Sequence, residues 1–215
     1  GAPPGRPAAL RLVPLAIPGG GSHDWLPSSH PDPARQRLAE AGYPGGQGLP
    51  VIQFGVSDAP IGAAIAADLQ RELGMTVERE SFDDSLTRIE TDPPNAWLTG
   101  WVADYVGPND FLGVLLESDR SNNYGKWTSP AFDQDIAAAL ATRDATSAQA
   151  AYEKALTVIT EQVPVIPMYV CTTYAPSSNR ILGAADNGLG IVRIACVWSA
   201  QVRVSMRSWQ TPHSQ

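Results

Sequence analysis

Trp101, Asp104 and Tyr105 bring a carboxylate and two aromatic rings together within a short span of chain. An aromatic surface beside a carboxylate suits a cationic or amine-bearing organic ligand. The span opens with Trp97, Leu98 and Thr99, which favour a strand, and it runs into Gly107-Pro108-Asn109-Asp110, which ends regular structure. The three residues therefore fall at the carboxyl end of a strand, where open α/β sheets bind their ligands. The competing reading of the same spacing makes Trp101 a core residue and Asp104 a turn cap.

Other chemistry is sparse. The three histidines, His23, His30 and His213, lie in Pro-, Ser- and Gly-rich ends, away from any expected strand terminus. Gly55-Val56-Ser57-Asp58-Ala59 sits at a strand-to-helix turn as a nucleophile elbow would, but it lacks the second glycine, and no histidine follows before His213. A serine hydrolase using Ser57 is thus a minor alternative. No glycine-rich loop leads into a Lys-Ser or Lys-Thr pair, and Cys171 and Cys196 are far apart without neighbouring histidines. Nucleotide-phosphate and zinc chemistry lose their usual ligands, and we expect no cofactor and no metal. The Asp83-Asp84 and Asp133/Asp135 pairs suit helix starts and solvated faces better than a catalytic dyad.

The elements that must position the aromatic and acidic residues follow from periodicity. Val51 to Val56 is a compact apolar strand. Ile61, Ile65, Leu69 and Leu73 then recur every fourth residue, so a helix runs from Ala59 to Leu73 between a capping Asp58 and a terminating Gly74. Met75 to Phe82 reads as the next strand, and Asp83 to Glu90 as a short helix before the strand that reaches Trp101. Two strand-helix-strand crossovers in succession imply a sheet with parallel pairs and helices on its faces. Ahead of these, Asp32-Pro33 opens a short helix with Asp32 as N-cap, closed by Gly42. Beyond them, Phe111, Leu112, Leu115 and Leu116 mark a short amphipathic helix. Ser129-Pro130 starts a helix lined by Phe132, Ile136 and Leu140, and Thr146-Ser147-Ala148-Gln149 fits a capping box for one carrying Tyr152, Leu156, Ile159 and Val163. Val163 to Val170 is extended, but Pro164 and Pro167 confine it to an edge. Gly190 to Met206 alternates like two strands with a turn near Ser199-Ala200. The whole reads as one domain over residues 1–215, with an irregular, surface-hugging lead-in over 1–31 and a tail over 199–215.

The chain has 215 residues, 43% of them hydrophobic and 17% charged, enough to bury a core. Its net charge of -7 would repel phosphate backbones and anionic membrane surfaces, so nucleic acid is not an expected partner. No apolar run reaches the roughly 18 residues of a membrane span. The apolar stretch over residues 8–17 lacks the basic start and small-residue cleavage site of a signal peptide. The two cysteines are compatible with one disulfide or with two thiols, and their apolar, strand-like surroundings favour buried thiols.

Five short segments follow one another along the chain: Asp32-Pro33-Ala34 through Leu38-Ala39-Glu40-Ala41-Gly42-Tyr43-Pro44, Thr99-Gly100-Trp101-Val102-Ala103-Asp104-Tyr105 with Pro108 to Leu112, Ser121-Asn122-Asn123-Tyr124, Ser129-Pro130-Ala131-Phe132-Asp133, and Val163-Pro164-Val165-Ile166-Pro167-Met168-Tyr169. In this order they resemble the extracellular solute-binding proteins of the dipeptide and oligopeptide class, which feed ABC transporters. The resemblance covers roughly residues 30 to 198. It implies a lobe of the type II periplasmic-binding-protein fold, an α/β architecture of a mixed sheet with helices on both faces. It further implies the carboxy-terminal lobe of a longer protein whose amino-terminal lobe closes on the ligand from the other side. Carried over, Asp104 pairs with the α-ammonium of a peptide or similar solute and Trp101 lines a side-chain pocket, with Tyr105 beside them and Asn123 and Tyr124 as weaker candidates. The implied partners are the small solute, the amino-terminal lobe and an ABC membrane permease. The implied location is extracytoplasmic, with the signal sequence outside this chain. The sequence departs from the family at Thr91-Asp92-Pro93-Pro94-Asn95, which replaces a glycine-containing approach to the strand. It also has no Arg or Lys between Asp92 and Arg120, so a ligand carboxylate must find its cation elsewhere. A ligand-sensing module fused to a regulatory protein is the alternative from another functional class.

Overall fold

The computed structural model describes residues 8–21, 30–81, 85–171, 181–182 and 198–199. Its organising unit is a parallel sheet of three strands, β1 (Ile52–Gly55), β2 (Val77–Glu80) and β3 (Ala96–Trp97), in the order β2-β1-β3. Parallel neighbours need long crossovers. These are helix α2 (Ala59–Leu73) between β1 and β2, and helix α3 (Ser85–Thr91) between β2 and β3. The register pairs Ile52 with Val77 on one side of β1 and Phe54 with Ala96 on the other.

Helix α2 begins where Asp58 accepts a hydrogen bond from the Ile61 amide at 3.2 Å and ends at Gly74 in the left-handed conformation. Gly74 is required twice over, because a Cβ there would stand 2.1 Å from the Gly45 carbonyl oxygen. Helix α1 (Pro31–Glu40) lies against α2, tied by the Arg35 guanidinium to the Glu72 carbonyl at 2.8 Å. Its N-cap is His30 rather than the expected Asp32, because Pro31 already fills the first helical turn and Asp32 pairs with Arg35 from inside it.

A second half packs around helices α5 (Pro130–Ala141) and α6 (Ala145–Gln162), a helical hairpin joined by residues 142–144. Phe132, Ile136, Ala155 and Ile159 are buried from the hairpin, and Leu112 and Leu116 reach it from the segment after β3, which includes the short helix α4 (Gly113–Leu116). Ser129 caps α5 as expected. Helix α6 is capped by Asp144, which accepts from the Ser147 amide at 2.7 Å and its hydroxyl at 2.7 Å, so the expected box at Thr146 is displaced by the stronger carboxylate two residues earlier. These bonds also lower the pKa of Asp144. Leu140 is exposed, and Ala139 takes the inward position, in helical step with the buried Phe132 and Ile136.

Four further features complete the fold. The lead-in is irregular, but Val13 and Ile17 are buried in the hairpin core, so it contributes packing and does not merely hug the surface. The segment after α6 has one antiparallel bridge, Ala8 to Tyr169, in keeping with the two prolines. Cys171 is a free, exposed thiol and not the buried one expected, on a segment with no buried residue from Val163 to Val170, and Cys196 lies outside the described residues. Among the described residues the three-stranded sheet is parallel. The antiparallel pairing occurs in a separate ribbon of β4 (Ile181–Leu182) and β5 (Trp198–Ser199), and the remainder of the two strands expected over Gly190 to Met206 lies outside the described residues. Among the described residues no helix is long and apolar enough to cross a membrane.

Helix α6 ends on Val163 at φ 48°, ψ 54°, a left-handed conformation that costs a branched side chain energy. Val163 is 53% exposed and loses little packing when truncated. Val163→Gly is expected to raise stability by about 1 kcal/mol, read as a higher urea midpoint at unchanged m-value.

Candidate functional site

The candidate site is the segment that carries the chain from the sheet to the helical hairpin. The Leu98 amide still pairs with the Gly55 carbonyl at 2.9 Å, and the chain then continues without a strand partner among the described residues and bends over Asp104 to Gly107. Side chains alternate: Trp101 and Ala103 pack against the hairpin core, whereas Val102 and Asp104 face solvent. A 3-10 turn over Pro108–Asp110 then returns the chain to the core at Phe111 and Leu112.

Asp110 holds this arrangement. It is 0% exposed, and its Oδ2 accepts hydrogen bonds from Trp101 Nε1 at 3.0 Å and from the Asp104 backbone amide at 3.2 Å. Its Oδ1 is buried and has no partner among the described residues. The neighbouring Asn109 donates from Nδ2 to the Tyr105 hydroxyl at 2.9 Å. Two successive residues of one turn thus reach back to Trp101, Asp104 and Tyr105. The fit needs Gly113, where a Cβ would lie 2.2 Å from Asn109 Oδ1 and 3.0 Å from Ile136 Cγ2.

The sequence-derived residues separate into two groups. Asp104 keeps an exposed carboxylate, Tyr105 is 42% exposed, and Trp101 is half-buried with its ring nitrogen committed to Asp110. Trp101 and the Asp104 backbone are both bonded to Asp110, and Tyr105 is bonded to the adjoining Asn109. Tyr105 also interacts with Tyr152 of α6, whose pKa is raised first by burial and second by the charge of Tyr105. Asn123 is buried, and its amide serves its own loop: Nδ2 donates to the Trp127 carbonyl at 2.6 Å, and Oδ1 accepts from the Trp127 amide at 3.2 Å. Tyr124 is half-buried beside it. No hydrogen bond joins Asn123 or Tyr124 to Asp104 or Tyr105 among the described residues. Ser57 is exposed at the turn between β1 and α2, and His30, the one histidine within the described residues, stands at the start of α1. Asp110 and Asn109 are the residues that sequence reasoning missed.

Two consequences are measurable. Trp101→Phe removes one of the two donors to a buried carboxyl oxygen and is expected to cost about 1–3 kcal/mol in urea unfolding, whereas Asp104→Asn, which keeps the backbone donor, stays within about 0.5 kcal/mol of the parent. For Tyr152 the folded pKa lies above the unfolded one, so its contribution to stability is complete below the unfolded value and is lost as pH rises through the folded value. Tyr152→Phe is expected to flatten the alkaline limb of stability against pH.

No protein-family model matches the chain. It is 32% identical over 153 residues to the periplasmic oligopeptide-binding protein OppA of Salmonella typhimurium, covering 67% of this chain and 27% of the relative. It is 27% identical over 162 residues to the dipeptide-binding protein of Pseudomonas aeruginosa, covering 71% and 30%. The chain therefore spans under a third of the length of these curated relatives. Among solved structures, the murein tripeptide binding protein MppA of Escherichia coli superposes with a TM-score of 0.78 at 22% identity, over 91% of this chain and 40% of that one. DppA of Helicobacter pylori, solved in complex with the peptide STSA, gives 0.76 at 22% identity over 91% and 39%. The fold is thus that of one part of a periplasmic peptide-binding protein. Sequence and fold together place the chain in the dipeptide/oligopeptide class of extracellular solute-binding proteins, of which it represents a portion.

Proposed function

We propose that the chain is the carboxy-terminal, ligand-binding lobe of a larger two-lobed protein that captures a peptide or another amine-bearing small solute. The complete protein would act outside the cytoplasm and deliver its solute to the membrane permease of an ABC importer. The observation that carries this reading is Asp104, an exposed carboxylate between exposed Val102 and Val106, on a stretch with no Lys or Arg from Asp92 to Arg120. A charged acceptor with apolar neighbours and no internal cation is suited to an ammonium group supplied from outside.

In this reading Asp104 orients the ammonium group, Tyr105 and the exposed part of Trp101 form the adjoining aromatic wall, and the Asn123-Tyr124 loop borders the site. Closure of the second lobe removes water, strengthening the ion pair while charging its desolvation against it, so the pair chiefly fixes orientation and selectivity. The lobes open and close as a two-state equilibrium that ligand shifts by touching both sides only in the closed form. Binding is favoured over catalysis because the relatives above are named for what they bind. One relative at 26% identity, from Haemophilus influenzae, is named a heme-binding protein, so the amine reading rests on Asp104 and not on the family alone.

Amide NMR of this chain, titrated with a mixture of free-amine tripeptides and then with their N-acetylated forms, tests the reading. One lobe without its clamp is expected to bind at roughly millimolar levels. Shifts at Trp101, Asp104 and Tyr105 that disappear on acetylation are the expected result. Equal shifts with both sets, or none with either from a folded chain, would count against amine recognition by this lobe.

A further inference from the structure

We infer that Asp110 is a positioning residue for the ligand-binding carboxylate of Asp104, setting it in place through the Asp104 backbone and not by touching the solute. This rests on the proposed recognition of an ammonium group by Asp104. The geometry is specific: a single oxygen, Asp110 Oδ2, binds the Asp104 amide at 3.2 Å and Trp101 Nε1 at 3.0 Å. The backbone that carries the anchor and the ring beside it are therefore referred to one buried point. The Asp104 side chain has no hydrogen bond or ion pair with another described residue, so the backbone tether is what limits where its carboxylate can stand. Segment 101–104 has no sheet partner among the described residues that could do this instead. A free anchor would have to be ordered by the ligand at the moment of binding, whereas a tethered one is ordered beforehand.

Asp110 Oδ1 adds a second observation. It is buried and unpartnered, so position 110 needs one acceptor oxygen, and the other end of the side chain is bonded to nothing among the described residues. Asparagine supplies the same acceptor at the same reach, and its NH2 occupies a place where no existing hydrogen bond is lost. Alanine supplies none. The two substitutions therefore separate the tether from the mere filling of space.

The test uses the chain with Asp110→Ala and Asp110→Asn, and with Asp110→Ser, whose oxygen is too short to reach both donors, as the replacement if the alanine variant does not fold. Each variant is titrated with free-amine tripeptides by amide NMR, with the urea midpoint measured in parallel. We expect the dissociation constant of folded Asp110→Ala or Asp110→Ser to rise about tenfold, with faster solvent exchange of the Trp101 indole proton, and Asp110→Asn to remain within about threefold of the parent. A lower urea midpoint with an unchanged dissociation constant would assign Asp110 a purely structural role and overturn the inference. Equal losses in the asparagine and alanine variants would overturn it as well. Failure of the parent chain to bind any free-amine peptide would instead remove the recognition reading on which it rests, and the inference with it.

Discussion

A carboxyl oxygen taken out of water must find donors, and Asp110 finds its two on the one segment that joins the sheet to the helical hairpin. The halves on either side have separate packing. Phe54, Val56, Ile61 and Ile89 are buried around the sheet, and Val13, Phe132, Ile136 and Ile159 around the hairpin. Between them the chain has almost no ladder hydrogen bonds to hold it, so its course depends on side chains. Asp110 and Asn109 fix the stretch from Trp101 to Tyr105, and the next stretch is held in the same way. Asp133 accepts from the Ser118 amide at 3.0 Å, Asn123 staples Trp127, and the Trp127 indole donates to Gln162 Oε1 at 3.0 Å. Irregular backbone between Leu98 and Ser129 is thereby held by side-chain hydrogen bonds, of which those of Asp110, Asn123 and Asp133 are buried or half-buried.

What could be read from the sequence was what local rules govern. Helix α2 is legible from Asp58 to Gly74 because its start, its four-residue apolar repeat and its stop are all short-range signals. The order of strand and helix around it gives the parallel sheet by the same logic. Asp104 and Tyr105 were legible as exposed candidates because they stand where a strand gives way to a turn. Asp110 was not legible. Within Gly107-Pro108-Asn109-Asp110 it looks like an ordinary turn residue, and only the returning chain shows that its carboxylate faces inward to Trp101. The inward hydrogen bonding of Asn123 was hidden in the same way, since a polar residue at a loop tip and one that ties the loop together from within have identical local sequence. Val13 and Ile17 were hidden by the prolines and glycines around them, which report irregular backbone correctly but say nothing about burial.

Capping shows how close two readings can lie. The Thr146-to-Gln149 pattern and the Asp144-to-Ser147 pattern compete for the start of α6. The carboxylate wins because it accepts both the Ser147 amide and the Ser147 hydroxyl, each at 2.7 Å, and a charged acceptor at a helix start outdoes a neutral one. Its depressed pKa expresses the same preference, and the cap is weakened as pH falls through that lowered value.

The bridge between Ala8 and Tyr169, with the Ala9 amide bonded to the Met168 carbonyl at 3.2 Å, brings the start of the lead-in beside the segment that follows the last helix of the hairpin. Everything from the sheet to the hairpin is consequently a closed circuit, entered and left at one place. Such a circuit can be opened at an exposed turn and rejoined across the bridge, so the body is suited to circular permutation and to insertion within another chain. Tension applied through those two adjoining stretches would also reach the bridge first, peeling a short backbone contact before it loads the core.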